Sequence, residues 1–266
     1  MKTILITGAA QGLGKALALE FQGKGCYVIA TDLRTDPPGE FAGHERITWY
    51  PMDVTSDEAV ESLVRVLSSK GITIDIIINN AGIDLYFPFT EGKAGLFKKI
   101  FEVNVFGSYR VNQNFLPLVK RPGGMFIHIS SESVNLAVPF LPYPVSKKTL
   151  EGYVKAFRQE VSFLGMHATM IRPGPIDTDL LHHVEQISYP VKNEAVKKAF
   201  LKFAKMAPGN VGKTISPTEV AAFIFRVSQI PRPKAIYKIN NDTKLRIAAL
   251  LPFSLQEKIV LRQLRS

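Results

Sequence analysis

The stretch TGAAQGLG, residues 7–14, joins an apolar run predicted as a strand, Thr3–Thr7, to a segment with helical periodicity at 14–23. Glycines at positions 8, 12 and 14 allow a tight turn and let the backbone approach a bound group closely. The N-terminus of the following helix offers unpaired N–H groups and a favourable dipole for an anion. The pattern therefore predicts a strand–turn–helix unit that holds a pyrophosphate, and its candidate contacts are Gly8, Gln11, Gly12, Leu13 and Gly14.

The alternation of apolar runs and helical segments continues along the chain. The predicted strands are Thr3–Thr7, Tyr27–Asp32, Ile47–Asp53, Ile74–Asn79, Met125–Ser130, His167–Arg172 and Ala235–Ile239. The predicted helices are 14–23, 56–69, 97–120, 145–164 and 217–229. Strands that are apolar almost throughout, such as IDIIIN at 74–79, are typical of a parallel sheet covered by helices on both faces. Such an α/β fold binds its ligands beyond the carboxyl ends of the strands.

Two of the predicted helices begin with capping patterns. Thr55 followed by Glu58 predicts a capping box at the start of one helix. Ser216, Pro217 and Glu219 predict an N-cap, a first-turn proline and an acid that reaches back to the cap.

The composition favours one domain over residues 1–266. The chain is 46% hydrophobic, enough for a sizeable core, and no repeat, low-complexity tract or linker-like segment divides it. Its first residues read as a buried strand and not as a secretory leader, and no apolar run approaches the roughly 20 residues that span a bilayer. The single cysteine, Cys26, cannot form an internal disulfide. These features predict a cytoplasmic protein.

The chain carries a positive charge, because lysine and arginine exceed aspartate and glutamate by 33 − 23 = 10. This excess is compatible with affinity for nucleic acid, for an anionic membrane or for an anionic ligand. The basic residues are not interleaved with aromatic side chains that could stack on bases, so nucleic acid is not predicted as a partner.

The second predicted strand ends at Asp32, 18 residues after Gly14 (32 − 14 = 18). A carboxylate at this place would hydrogen-bond the ribose hydroxyls of an adenosine and repel a 2′-phosphate, so the sequence predicts NAD as the cofactor. Leu33 and Arg34 follow Asp32 and are further candidate contacts. Because an arginine near this acid can accommodate a 2′-phosphate, NADP stays open as the alternative.

Further motifs follow the glycine turn. In chain order they are Asp53-Val54, NNAG at 79–82, Asn104 in NVFG, ISS at 129–131, YPVSK at 143–147 and RPGPIDT at 172–178. With these motifs the chain resembles the short-chain dehydrogenase/reductase family, in its classical form, over almost its whole length. The resemblance implies a one-domain Rossmann fold with a doubly wound, seven-stranded parallel sheet. It also implies hydride transfer at a nicotinamide and a homo-oligomer, either a dimer or a tetramer.

The resemblance assigns cofactor contacts outside the glycine turn as well. Asp53 and Val54 match the residues that contact adenine, and Asn80, Ala81 and Gly82 match the segment that borders the cofactor. The turn after the sixth strand matches the one that meets the nicotinamide carboxamide, and its candidate contacts are Pro173, Gly174, Ile176 and Thr178.

Tyr143 and Lys147 are the candidate catalytic pair, since they stand one helical turn apart. Interconverting an alcohol and a ketone requires an acid/base at the oxygen, and a tyrosine with a pKa of about 10 is too weak a base at neutral pH. A neighbouring ammonium stabilises the phenolate, so we expect Lys147 to lower the pKa of Tyr143. The resemblance adds that Lys147 holds the nicotinamide ribose and that Asn104 holds a water linking the lysine to solvent.

The catalytic serine has two candidates. The family's usual spacing before Tyr143 lands on Ser130 (143 − 130 = 13), whereas the motif SS usually places the catalytic hydroxyl on its second serine, Ser131. The intervening segment is one residue short between Pro139 and Tyr143, which favours Ser131. Ser130 would then support the strand end or the cofactor.

The loops after the fourth, fifth and sixth strands, 84–96, 134–142 and 179–212, are expected to determine substrate specificity, with 179–212 as a cap. Their large apolar side chains are Leu85, Tyr86, Phe87, Phe89, Leu136, Val138, Phe140, Leu141, Leu180, Leu181 and Tyr189. They would line a site for an apolar or long-chain alcohol or ketone, or else pack into the core. His182 and His183 have no companions at metal-ligand spacing, so no metal is predicted.

The C-terminal tail, about 244–266, is basic and amphipathic. Such a segment can lie on an anionic membrane, on a partner subunit or against the protein's own body.

Together these features predict an NAD(H)-dependent oxidoreductase that interconverts a secondary alcohol and a ketone on an apolar substrate, with Tyr143 as the acid/base. The alternatives are an NADP(H)-dependent carbonyl reductase and a non-catalytic, NAD(P)-binding regulator that keeps the fold without turnover.

Overall fold

Strands and helices alternate along the chain in the structure, a computed structural model that describes residues 1–135, 137–182, 187–210 and 212–265. Leu136 and His183, both discussed above, lie outside the described residues. The strands are β1 (Thr3–Thr7), β2 (Tyr27–Asp32), β3 (Ile47–Pro51), β4 (Ile76–Asn79), β5 (Met125–Ile129), β6 (His167–Pro173) and β7 (Ile236–Ile239). The α-helices are α1 (Gly12–Gly23), α2 (Asp57–Ser69), α3 (Ala94–Phe101), α4 (Ser108–Phe115), α5 (Pro142–Ser162), α6 (Asp179–His182), α7 (Glu194–Met206), α8 (Pro217–Ser228), α9 (Thr243–Ala248) and α10 (Phe253–Arg265).

The strands form one seven-stranded sheet in the order β3-β2-β1-β4-β5-β6-β7, and every neighbouring pair is parallel. This is the doubly wound Rossmann-type α/β architecture that the sequence predicts. The chain leaves β1 toward one edge and returns at β4 toward the other, so the order reverses between these two strands. A crevice forms at the carboxyl ends of strands where the order reverses in this way, and ligands bind there.

Helices cover both faces of the sheet because alternate strand residues point in opposite directions. Ile4 and Ile6 belong to a core that includes apolar residues of α1 and α8. Leu5, between them, belongs to a second core that includes apolar residues of α2, α4 and α5. The near-continuous apolar sequence of the strands therefore reflects burial on both sides.

The predicted strand bounds hold for β1 and β2 and shift by one or two residues elsewhere. The largest change at a strand start is in β4, which begins at Ile76 because Ile74 forms only an isolated bridge with Val119.

The prediction of a single helix over 97–120 is wrong. The observed helical segment begins earlier, at Ala94, and a π-helical turn at Glu102–Gly107 separates α3 from α4. After Phe115 the chain tightens into a 3₁₀ turn that contains Pro117. A proline lacks the N–H that would continue an α-helix, and its ring clashes with the preceding turn.

One capping prediction is wrong and the other is confirmed. Ser56, and not Thr55, caps α2 by accepting a hydrogen bond from the Ala59 N–H at 3.2 Å. The Thr55 hydroxyl instead donates to Asp53 Oδ1 at 2.8 Å. At α8 the capping box of Ser216 and Glu219 is present.

The described part of the C-terminal tail folds into α9 and α10, and α10 packs against α7. Within the described ranges, no helix is both long enough and apolar enough to cross a bilayer.

Gly14 lies in the first turn of α1, where the helix packs so closely against the preceding glycine turn that a side chain does not fit. A Cβ atom at this position would lie 1.9 Å from the carbonyl oxygen of Gly8 and 2.6 Å from Nδ2 of Asn80. Backbone atoms supply the closest contact, so a side-chain rotation cannot relieve it. Gly23, at the end of the same helix, has open space around the corresponding position.

We expect Gly14→Ala to lower the free energy of unfolding by about 1–3 kcal/mol, the usual result of forcing an extra methyl group into a packed site. Gly23→Ala is the matched control and should raise the free energy of unfolding by about 0.5–1 kcal/mol, because alanine favours the helix. Urea unfolding measures both. Equal stability of the two variants would contradict the close contact between α1 and the turn.

Candidate active site

The turn after β1 is clamped to the end of β4 at the point where the strand order reverses. The Thr7 hydroxyl accepts hydrogen bonds from the backbone N–H groups of Asn80 and Ala81, each at 3.1 Å. In return, the Asn80 amide donates to the carbonyls of Thr7 and Gly8, each at 3.0 Å. Gly8 and Gly12 both have positive φ, of 68° and 53°, which side chains other than glycine rarely adopt. The turn is therefore a fixed backbone cradle at the N-terminus of α1.

The ribose acid predicted after β2 lies beside this turn, next to an arginine. Asp32 Oδ2 accepts a hydrogen bond from the Ala10 N–H at 3.0 Å, and Oδ1 accepts one from the Arg34 N–H at 3.3 Å. The Arg34 guanidinium donates to the Gln11 side chain in the turn. A carboxylate and a guanidinium thus share one subsite.

The predicted adenine contacts lie after β3. Asp53 Oδ1 accepts hydrogen bonds from the N–H and hydroxyl of Thr55, both at 2.8 Å. Val54 packs against Gly107, where an added Cβ would lie 2.8 Å from its methyl group. These contacts hold the loop between β3 and α2 against the π-helical turn.

Tyr143 and Lys147 lie on the first turns of α5, which begins with Pro142 and carries Pro144 in its first turn. Both prolines suit a helix start because the first N–H groups have no partner within the helix. The Lys147 ammonium lies 5.6 Å from the centre of the Tyr143 ring and donates to the Ile129 carbonyl at 2.8 Å. The pair is therefore held against the carboxyl end of β5.

The expected effect of Lys147 on Tyr143 is wrong for the chain by itself. Burial raises the pKa of Tyr143 above its usual value, and the charge of Asp84 acts in the same direction. Burial lowers the pKa of Lys147 to about 8, against an opposing effect of Asp84. Loss of solvation is therefore the largest influence on the pKa of each side chain, and the Tyr143 phenol is protonated at neutral pH.

The two serines after β5 point to different surroundings. The Ser131 side chain interacts with the Tyr143 phenol and acts to lower its pKa. Its hydroxyl also lies 2.9 Å from the Ser133 hydroxyl. The Ser131 hydroxyl is thus the one placed beside the tyrosine.

Ser130, by contrast, donates its hydroxyl to a buried carboxylate, Glu151 Oε1, at 2.6 Å. Arg172 forms a bidentate ion pair with the same carboxylate. Although burial acts to raise it, Arg172 and Ser130 hold the pKa of Glu151 below its usual value. The Ser130 hydroxyl is therefore part of a hydrogen-bond network between α5 and β6.

Asn104 is fully buried in the π-helical turn. Its Oδ1 accepts from the Ile83 N–H at 2.9 Å, and its Nδ2 donates to the Ile83 carbonyl at 3.0 Å and to the Ser146 hydroxyl at 2.9 Å. The Ser146 hydroxyl in turn donates to the Tyr143 carbonyl at 2.7 Å. Asn104 therefore links the loop after β4 to the start of α5.

The turn after β6 closes the site on its far side. A Cβ on Gly174 would lie 1.9 Å from the Asn240 carbonyl oxygen, so only glycine fits there. The Thr178 methyl group lies 3.2 Å from the corresponding position on Gly12. The turn after β6 thus meets the glycine turn after β1.

One cavity of about 1510 Å³ runs past all these turns. The predicted site residues on its wall are Gly8, Gln11, Gly12, Leu13, Asp32, Leu33, Arg34, Asp53, Val54, Asn80, Ala81, Gly82, Ser130, Ser131, Tyr143, Lys147, Pro173, Gly174, Ile176 and Thr178. Gly14 and Asn104 do not reach the wall, because Gly14 packs against Gly8 and Asn104 is buried behind Ile83. The glycine cradle, the acid after β2 and a cavity of this size fit a nicotinamide dinucleotide.

The apolar loops contribute only in part to the cavity. Leu85, Tyr86, Val138, Leu141, Leu180 and Leu181 line it. Phe87 and Phe140 are buried and pack among other aromatic rings, so these two follow the second alternative, packing into the core. In the described part of the chain, no group of three acidic, histidine or cysteine side chains could hold a metal.

The sequence analysis missed two contributions to the cavity. Asp84, two residues after the NNAG segment, lies on its wall, and its charge influences both Tyr143 and Lys147. The tail also forms a wall, through Leu245, Ala248, Leu251, Gln256, Ile259, Val260, Gln263 and Leu264. Two features of the sequence could have indicated these contributions. One is the aspartate that follows the NNAG segment, and the other is the amphipathic period of the tail.

Comparisons with known proteins agree with this geometry. A model of the short chain dehydrogenase family matches residues 2–187. The chain is 29% identical over 280 aligned residues to an NADPH-dependent 3-dehydrocapnine reductase of Ornithobacterium rhinotracheale, across 100% of this chain and 98% of that protein. It is 30% identical over 284 aligned residues to dehydrogenase/reductase SDR family member 9 of Homo sapiens, across 98% of this chain and 88% of that protein.

Among solved structures, a short-chain dehydrogenase from Streptomyces avermitilis has the same fold, with a TM-score of 0.80 and 24% identity. The similarity covers 97% of this chain and 94% of that one. With the family match over residues 2–187 and the arrangement of its glycine turn, the chain belongs to the short-chain dehydrogenase/reductase family, a family of oxidoreductases.

Proposed function

We propose that the protein is an NAD(H)-dependent oxidoreductase that interconverts a secondary alcohol and a ketone on an apolar substrate. The observation that carries this proposal is the meeting of Tyr143, Lys147 and Ser131 on the wall of the cavity that also contains the glycine turn. The bound nicotinamide would accept or supply the hydride. The chain's own residues would position the substrate oxygen and move its proton.

In this proposal Tyr143 exchanges a proton with the substrate oxygen, and Ser131 donates a hydrogen bond to the same oxygen. Burial keeps the Tyr143 phenol protonated at neutral pH, and the protonated phenol is the form that reduction of a ketone requires. Lys147 would hold the cofactor ribose. An amide has two donor hydrogens and two acceptor lone pairs, and Asn104 uses all but one lone pair of Oδ1. A relay water held by Asn104 would bind there or at the backbone of the π-helical turn.

An apolar substrate is supported by the lining of the cavity. Its wall includes Leu141, Leu180 and Leu181 together with Met206 and the apolar residues of the tail. Such a lining favours an aliphatic chain over a charged sugar.

NAD is proposed as the cofactor because the Asp32 carboxylate lies beside the glycine turn, where it would hydrogen-bond the cofactor's ribose and repel a 2′-phosphate. NADP is the second candidate, and two observations favour it. The Arg34 guanidinium lies against Gln11 in the same subsite. One relative is also named as NADPH-dependent.

We also propose a single domain over 1–266 with a cap at about 179–212, and a dimer or tetramer. Peripheral membrane contact through the tail is a further proposal. Its support is that Ile247, Leu250 and Phe253 are exposed beside the helices that line the cavity.

We expect Tyr143→Phe to lower kcat by about 10²–10⁴-fold, the usual contribution of a general acid/base, while NADH binding is retained. Steady-state kinetics and NADH fluorescence titration measure the two effects. Tyr109→Phe, at an exposed tyrosine, is the control and should keep full turnover. A wild-type protein that binds NADH but turns over no alcohol or ketone would instead support the non-catalytic regulator.

Substituting Ser130 and Ser131 one at a time should show which serine affects the rate of hydride transfer and which affects the free energy of unfolding. Ser131→Ala should lower the rate of hydride transfer by about 10²-fold, because it removes a donor to the reacting oxygen. Ser130→Ala should reduce the rate far less but lower the free energy of unfolding by about 1 kcal/mol, because buried Glu151 loses a hydrogen bond. Single-turnover kinetics and urea unfolding measure these. Equal or reversed rate losses would contradict the assignment of Ser131.

Cofactor choice is tested by titrating NADH and NADPH against the wild type, Asp32→Ala and Arg34→Ala. We expect the wild type to bind NADH more tightly, and Asp32→Ala to shift the ratio toward NADPH by about tenfold or more, because a charge repulsion is removed. Arg34→Ala is the matched variant and should weaken NADPH binding alone. Tighter NADPH binding by the wild type would establish the second candidate.

A further inference from the structure

A buried carboxylate joins three segments of the cavity wall. Glu132 follows Ser131 directly, in the 3₁₀ turn after β5. Its Oε2 accepts hydrogen bonds from the Asp242 backbone N–H at 2.8 Å and from the Asn241 side-chain amide at 3.3 Å. A Cβ added to Gly174 would lie 3.2 Å from its Oε1. Glu132 therefore lies where the turn after β5, the turn after β6 and the residues before α9 meet.

The hydrogen bonds between the body of the protein and the C-terminal tail end at this junction. Just before it, the Asn240 side-chain amide donates to the Lys213 carbonyl at 2.7 Å. Beyond it, the hydrogen bonds that residues 243–265 make to other described residues all stay within that segment, such as the one from Gln256 to the Leu251 carbonyl at 2.8 Å. Among the described residues, the bonds to the Glu132 carboxylate are thus the last in chain order that attach the tail to the body.

The segment that follows the junction lines the cavity. Leu245, Ala248 and Leu251 lie on the cavity wall, in α9 or just after it, and Ile259 and Leu264 of α10 lie there too. The residues of the junction itself belong to the same wall. Because a helix moves as a rigid unit, a change at the start of α9 would displace the apolar side chains that line the site.

We propose that Glu132 is a positioning residue that fixes the tail at the cavity and thereby determines how well the site holds an apolar chain. Its effect on substrate preference rests on the proposed alcohol and ketone chemistry, whereas its effect on the tail does not. Both donors to Oε2 are neutral amides, and an amide oxygen can accept the same hydrogen bonds. Glu132→Gln is therefore the conservative variant, and Glu132→Ala removes the acceptor.

Hydrogen exchange in the full-length protein, followed by mass spectrometry of its peptides, tests the effect on the tail. We expect the amides of α9 to exchange about 10-fold faster in Glu132→Ala than in the wild type, because hydrogen bonds to a charged group are lost. The amides of α8 should be unaffected, and Glu132→Gln should exchange like the wild type. Unchanged exchange of α9 in Glu132→Ala, or equal acceleration throughout the chain, would overturn the proposal.

Asn241→Ala tests the same junction from its other side and serves even if Glu132→Ala does not fold. It removes the weaker of the two donors and leaves the Asp242 N–H in place. The amides of α9 should then exchange about threefold faster than in the wild type. No acceleration in this variant would contradict the anchoring role of the junction.

A short-chain and a long-chain secondary alcohol test the effect on substrate preference. We expect Glu132→Ala to raise KM for the long-chain alcohol by about 10-fold, the effect of leaving about two methylene groups in water. KM for the short-chain alcohol and kcat for both should stay within about twofold, and Glu132→Gln should restore KM. An equal loss of kcat on both alcohols would show that Glu132 acts on the neighbouring Ser131 and not through the tail, and the proposal would be wrong.

Glu219→Ala is the matched control, since Glu219 also accepts a hydrogen bond from a backbone N–H, that of Ser216 at 3.2 Å. It should speed exchange at the start of α8 and leave both α9 and the two KM values unchanged. If neither alcohol is turned over, the proposed function fails, yet faster exchange of α9 in Glu132→Ala still supports the anchor. If both alcohols are turned over and the exchange of α9 is unchanged in Glu132→Ala, the anchor alone fails.

Discussion

The hydrogen bonds between Thr7 and the segment Asn80–Ala81 hold together the two strand ends between which the whole site is built. They fix the glycine turn of β1 against the loop that follows β4. Because that loop continues to Ile83, whose backbone is held by Asn104, the same contacts determine where the π-helical turn lies. The cofactor cradle and the catalytic wall are therefore parts of one hydrogen-bonded unit.

The catalytic wall combines close packing with little solvation. An added Cβ on Gly82 would lie 3.2 Å from Asn104 Oδ1 and 3.4 Å from Lys147 Nζ, so the loop passes close to both side chains. Burial then shifts the pKa of Tyr143 upward and that of Lys147 downward. Both shifts favour the neutral forms of the two side chains. The sequence analysis expected the Lys147 ammonium alone to stabilise the Tyr143 phenolate, and in the folded chain charge on the bound molecules would have to contribute to that effect.

Much of the fold could be predicted because its signals are local. The apolar strand before the glycine turn and the acid after β2 mark the switch point, and the bounds of β1 and β2 follow from composition alone. The break within 94–115 could not be predicted, because the i→i+5 hydrogen bonds of a π-helical turn have no residue type that signals them in the sequence. Asp84 was missed for another reason: its place on the cavity wall and its hydrogen bond from the Tyr86 hydroxyl arise only in the folded chain.

The tail shows how one helical pattern can serve two surfaces. Ile259 and Leu264 line the cavity, whereas Phe253 is 63% exposed. An amphipathic period predicts that one face is covered but not by what. Here part of that face forms a wall of the cavity, so the tail adds apolar side chains to a site whose other walls come from the loops at the strand ends.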